Sequence, residues 1–120
     1  MNTMSFPQLS LILNILVLIP VCTGLLLKKN WVSVSYGIET PARGILLSIY
    51  LAILVSSAAF LFKFDPKFVV VLLVVQIIYK LLTPIIVGTV KNPVIISNLF
   101  IALFHSFSVW KILSSQTLFL

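Results

Sequence analysis

The sequence predicts an all-α protein, an integral membrane four-helix up-down bundle, and three observations predict it. Hydrophobic residues make up 61% of the 120 residues and charged residues only 8%, with a mean hydropathy of +1.25. That leaves too little polar surface to coat a soluble domain. The apolar residues fall into four runs, each near the ~20 residues that cross ~30 Å of hydrocarbon. Three of these runs open on a capping side chain followed by proline, Thr40-Pro41, Asp65-Pro66 and Asn92-Pro93, the pattern of an N-cap and first helical residue.

The first span, 7–27, begins at Phe6-Pro7 and is followed rather than preceded by Lys28 and Lys29. It lacks the basic leader and small-residue cleavage pattern of a signal peptide and is expected to be retained. A long connection, KKNWVSVSYGIET (28–40), holds Trp31 and Tyr36, rings that favour the headgroup region. Its VSVSY stretch alternates and is expected to lie extended along the surface. The second span is 41–62, the third 66–88 and the fourth 93–113. The connections KFDPK and TVKNP are so short that the last three spans must run antiparallel to their sequence neighbours. With no internal repeat and no low-complexity linker, residues 1–120 read as one domain.

Charge placement excludes several functions. The net charge of +6 arises because Glu39 and Asp65 are the only acids, and the bases flank apolar runs instead of lining one helical face. That is the pattern of membrane anchors, not of a nucleic-acid surface. Lys28, Lys29, Arg43 and Lys91 lie on one side against Lys63, Lys67 and Lys111 on the other, a small excess that places the long loop in the cytoplasm. The lone Cys22 permits no internal disulfide, redox pair or cysteine metal cluster. This disfavours a vitamin K epoxide reductase type of redox enzyme. Without a membrane-embedded carboxylate the chain also departs from the small multidrug resistance transporters, which it matches in size and span count. No nucleophile, base and acid are assembled by a local motif, so the expectation is no catalytic residue, metal or cofactor.

The polar residues within the spans are the candidate site. Gln76, Lys80 and Thr83 fall at i, i+4 and i+7 of the third span and share a face. Pro84 lacks the amide that would bond the Lys80 carbonyl, and Thr83 is a candidate to bond that oxygen. At ~1.5 Å per residue Lys80 lies about 12 Å from the long-loop side. It either snorkels to that surface or serves a buried polar pocket, and the pocket reading is preferred. Asn98 and His105 share a face of the fourth span at roughly 8 and 18 Å from the same surface, and Asn14 of the first span lies near the height of His105. A ligand pocket formed by Gln76, Lys80, Thr83, Asn98 and His105 competes with hydrogen bonding that only locks the helices together. Arg43, at its mouth, opposes the dipole of its helix and calls for a partner: Glu39, a lipid phosphate or an anionic ligand. Ser48, Ala52, Ser56 and Ala59 form one small-residue face on the second span, suited to close packing inside the bundle or against another subunit.

The segment YGIETPARGILLSIYLAILVSSAAFLF (36–62) resembles the DoxX-like group of small four-helix bacterial membrane proteins, whose second span opens on an arginine and glycine, here Arg43 and Gly44. The resemblance implies a bacterial inner (plasma) membrane and an accessory role in quinone-linked or respiratory systems. Two functions stay open. The first is a non-catalytic accessory subunit that docks to other membrane subunits or forms a homo-oligomer. The alternative is a binding or transport protein for a lipophilic small molecule such as a quinone or lipid.

Overall fold

The computed structural model describes residues 5–115, which form five helices and no strand. Helix α1 spans Phe6–Leu26, α2 Asn30–Tyr36, α3 Pro41–Phe62, α4 Pro66–Val87 and α5 Pro93–Ser115. All but α2 are long and apolar enough to cross a membrane.

Each long helix starts where the local chemistry can satisfy its free amides. The Ser5 side chain accepts from the Gln8 amide while Gln8 Oε1 accepts from the Ser5 amide at 2.9 Å, a closed capping box. Thr40 Oγ1 accepts from the Arg43 amide, Asp65 Oδ1 from the Lys67 amide and Asn92 Oδ1 from the Val94 amide. In each case proline follows in the position whose missing N–H costs least. Helix α4 ends at Val87, one residue short of expectation, because Gly88 turns left-handed at φ 87°. Helix α5 continues past the expected residue 113 to Ser115.

The long connection is corrected by the structure. Residues 30–36 are helical, not extended. Alternating Val and Ser suggest a strand, but no partner strand exists among the described residues to complete a ladder. The short helix instead satisfies its own backbone and buries Val32 against Leu25 and Cys22. Gly24 makes this docking possible, since a Cβ there would collide with the Trp31 ring. Gly24→Val is expected to push α2 away from α1. A red shift of Trp31 fluorescence, measured in a Trp110→Phe background, would report it, and an unshifted spectrum would contradict the contact.

Helix α1 packs against α3 on one side and α5 on the other, and α4 packs mainly against α5. The α3–α4 contact is slight, although the two helices are joined by a short turn. One apolar cluster joins Leu11 of α1, Val69, Val70 and Leu73 of α4, and Ile112 of α5. A second joins Leu18, Cys22 and Leu25 with Val32, Tyr50 and Ile53. Polar side chains are buried alongside these clusters. Much of the apolar surface instead faces outward, including Val55, Ile85, Ile86, Phe100 and Leu103.

Candidate functional site

The buried polar residues divide into two groups. In the first, Lys80 is only 5% exposed, and its Nζ donates to Asn98 Oδ1 at 2.9 Å while lying 5.1 Å from the centre of the Tyr79 ring. The side chain is therefore turned into the protein, held by one amide oxygen and the face of an aromatic ring. Gln76, one turn earlier, is also buried, and its amide reaches back to the Leu72 carbonyl at 3.4 Å. Tyr36 and Tyr50 stand edge to face above this pair, their centroids 6.0 Å apart. Burial holds the Tyr36 phenol well above its ordinary range, with Tyr50 adding to the effect, so it remains a neutral donor.

The second group is centred on His105, which is fully buried. Its Nε2 is 2.8 Å from Asn14 Oδ1, and its Nδ1 is 3.0 Å from Ser10 Oγ. Asn14 Nδ2 donates to Ser57 Oγ at 3.0 Å, Ser10 bonds Ser108, and Ser108 also donates to the Phe6 carbonyl. Because Asn14 presents its oxygen to the ring, Nε2 carries a proton. Residues from α1, α3 and α5 are thereby tied at one level, with every buried side-chain polar atom satisfied among the described residues.

Three cavities meet beside the first group. A cleft of about 440 Å³ lies where α3 and α4 part, lined by Leu46, Tyr50, Tyr79, Thr83, Val94 and Asn98 among others. A second, of about 520 Å³, lies between α1, α2 and α5 and is lined by Val17, Val21, Trp31, Tyr36, Val94 and Asn98. A pit of about 20 Å³ is bounded by Asn14, Tyr36, Tyr50, Gln76, Lys80 and Asn98 among others. Tyr36 and Asn98 border all three spaces. His105 borders none of these three.

No family model, curated protein or solved structure matches the chain.

Several expected residues sit differently from their sequence assignment. The Thr83 hydroxyl bonds the Tyr79 carbonyl at 2.7 Å, not that of Lys80, because in an α-helix a threonine side chain reaches the carbonyl one turn back. Arg43 is buried, but its Nη1 donates to the Gly37 carbonyl at 2.9 Å and to Ser33 Oγ at 3.3 Å. Its partner is the end of α2, not Glu39. Glu39 pairs instead with Lys28 at 2.7 Å, and that hydrogen bond holds its carboxyl below the usual range. Both members of the pair are largely exposed, so it adds little to stability. Ser48, Ala52 and Ala59 are exposed and Ser56 is half-buried, so the small face of α3 looks mainly out of the bundle. Ser10, Ser57, Ser108 and Tyr50 join the polar interior although no sequence motif marked them, and Tyr36, expected at the headgroups, borders the pit beside Lys80. A usable signal existed for two of them: Ser10 is one turn before Asn14, and Ser108 is one turn after His105.

Chemically, the pit sets one cation among mixed donors and acceptors. Lys80, the Asn98 amide, Tyr36 and Tyr50 present N–H or O–H groups, the Asn98 oxygen is engaged by Lys80, and the amides of Gln76 and Asn14 complete the polar lining, with no acidic side chain among the residues that bound it. Among the described residues no cluster of His, Cys, Asp or Glu is suited to a metal ion.

Proposed function

We propose that the chain is an integral membrane protein that binds or transports a lipophilic small molecule, such as a quinone or a lipid. Its long helices thread up and down through the bilayer. The outward-facing apolar side chains and a longest dimension of 44 Å support this arrangement, since a bilayer with its headgroups is ~40–45 Å thick. The resemblance of residues 36–62 to the DoxX-like group supports a bacterial inner membrane. One observation carries the reading: two apolar-walled clefts, each of the volume that small-molecule sites have, converge on the same polar residues, Tyr36 and Asn98. We read the protein as non-enzymatic, a binder of its lipophile.

Val94 lines both clefts, which provides the test. Native mass spectrometry of the protein released from its own membranes is expected to show a lipophile adduct near one to one. Val94→Trp, whose ring intrudes where Val94 borders both spaces, is expected to lose it. A wild-type protein that carries no adduct, or a variant that retains it fully, would contradict the proposal.

A second reading, docking to another membrane subunit or to a second copy, is favoured by the outward small face of α3. Gly44, Ser48 and Ala52 are exposed there at four-residue spacing, and Ala59 follows two turns later. Ala52→Leu should weaken association while leaving insertion intact, because leucine is favourable in lipid yet separates helix backbones. Crosslinking in native membranes reads this directly. Unchanged crosslinked species with normal amounts of the mutant chain would dismiss the interface.

A further inference from the structure

Lys80 is a buried ammonium in a chain with almost no acids. Its only possible side-chain counter-ions are Glu39 and Asp65. Glu39 is exposed and paired with Lys28, while Asp65 caps the start of α4. Asp65 lies fifteen residues from Lys80 along that helix, roughly 22 Å at ~1.5 Å per residue. A charge removed from water without an opposite charge is costly, and an amide oxygen with a ring face compensates it only in part. The space beside it is lined by the N–H and O–H groups of Asn98, Tyr36 and Tyr50 together with the amides of Gln76 and Asn14, and no acidic side chain borders it. A cation without a counter-ion, with donors around it, is a receptor for negative charge.

We infer that the lipophile bound by this protein is a long-chain carboxylic acid, its carboxylate inserted between Lys80, Asn98, Tyr36 and Tyr50 and its chain lying in an adjoining cleft. The inference rests on the lipophile-binding reading and names the class of its ligand. The pit holds about 20 Å³, room for roughly one water-sized group. One oxygen of a flat carboxylate can enter it, whereas a tetrahedral phosphate headgroup is too bulky. Chloride would match the charge and the small volume, but it would leave unexplained the two apolar clefts that share Tyr36 and Asn98 with the pit. A neutral quinone would accept hydrogen bonds and leave the ammonium uncompensated. A carboxylate satisfies both demands, since charge-assisted bonds from Lys80 and the Asn98 amide are the strong kind.

The test is equilibrium binding of oleic acid and of oleyl alcohol to the full chain in zwitterionic nanodiscs, at a pH where the acid is ionised. Oleic acid is expected to bind about tenfold or more tightly than the alcohol, a difference worth about 1.4 kcal/mol. Lys80→Met should bring the two ligands level. Asn98→Asp, which supplies an internal carboxylate at hydrogen-bond distance from Lys80, should do the same while keeping the buried pair, and so covers the case in which the methionine variant does not fold. Equal binding of acid and alcohol to the wild type would overturn the inference and leave lipophile binding intact. Preference for the acid that survives both substitutions, or displacement of the acid by chloride at equal concentration, would also overturn it. Binding of neither ligand would remove the inference and count against the broader reading as well.

Discussion

His105→Leu is expected to lower the stability of the protein by about 1–3 kcal/mol without preventing insertion. Leucine fills a volume close to that of the imidazole, so the loss is not that of a cavity. The loss comes from Asn14 Oδ1 and Ser10 Oγ, each bonded to a ring nitrogen, which are left buried without that partner. Interhelical hydrogen bonds within membranes often prove weaker than their burial suggests, because the unfolded chain finds other partners in the bilayer, and this sets the lower end of the range. His105→Gln should lose less, since an amide can still donate to Asn14. Ser106→Ala is the matched control: its hydroxyl bonds the Ala102 carbonyl of its own helix and ties no helices together. Unfolding in mixed micelles, followed by helicity, distinguishes the three. If His105→Leu unfolds alongside Ser106→Ala, the histidine group is not a helix lock.

Lys80→Met is expected to act elsewhere, on ligand retention. Methionine keeps much of the apolar stem but removes the charge. In the empty protein two effects oppose each other: Asn98 loses a donor, and a buried ammonium disappears. The net change in thermal stability should be small. Retention of the co-purified lipophile should fall on the order of tenfold or more, in line with the ~1.5–3 kcal/mol of a hydrogen bond to a charged group. Lys91→Met is the surface control, because Lys91 is exposed in the turn before α5. Equal ligand content in the two variants would mean that Lys80 has no part in binding.

The helix starts were legible in the sequence because a capping side chain and a proline act locally. Thr40, Asp65 and Asn92 do what their neighbours in sequence predict. The α2 segment was not legible, because VSVSY carries the alternation of a strand and its fate depends on Gly24, distant enough in the chain to be invisible to local pattern. The same holds for the serines. Ser48 and Ser106 turn back to their own helix carbonyls, whereas Ser10, Ser57 and Ser108 reach across helices. Composition is identical in the two cases, and only packing separates them. Sequence grouped Lys80 and His105 because their heights along the helices are similar. In the structure Lys80 bonds Asn98 and His105 bonds Ser10 and Asn14, and Asn14 joins the two groups because it also borders the pit beside Lys80. The small face of α3 was readable as a face, but its direction was not, since periodicity fixes which residues lie together and not which way they look.

Photolabelling with a diazirine-bearing alkyl probe, added to the protein in nanodiscs and mapped by peptide mass spectrometry, separates a ligand held in the clefts from lipid around the protein. Labels are expected to concentrate at cleft residues such as Leu46, Tyr79 and Val94, suppressed by excess unlabelled lipophile and by Val94→Trp. Labels confined to outward-facing residues such as Ile85, Phe100 and Leu103, unaffected by competitor, would mean that the probe meets the protein only as lipid and that the clefts hold no ligand.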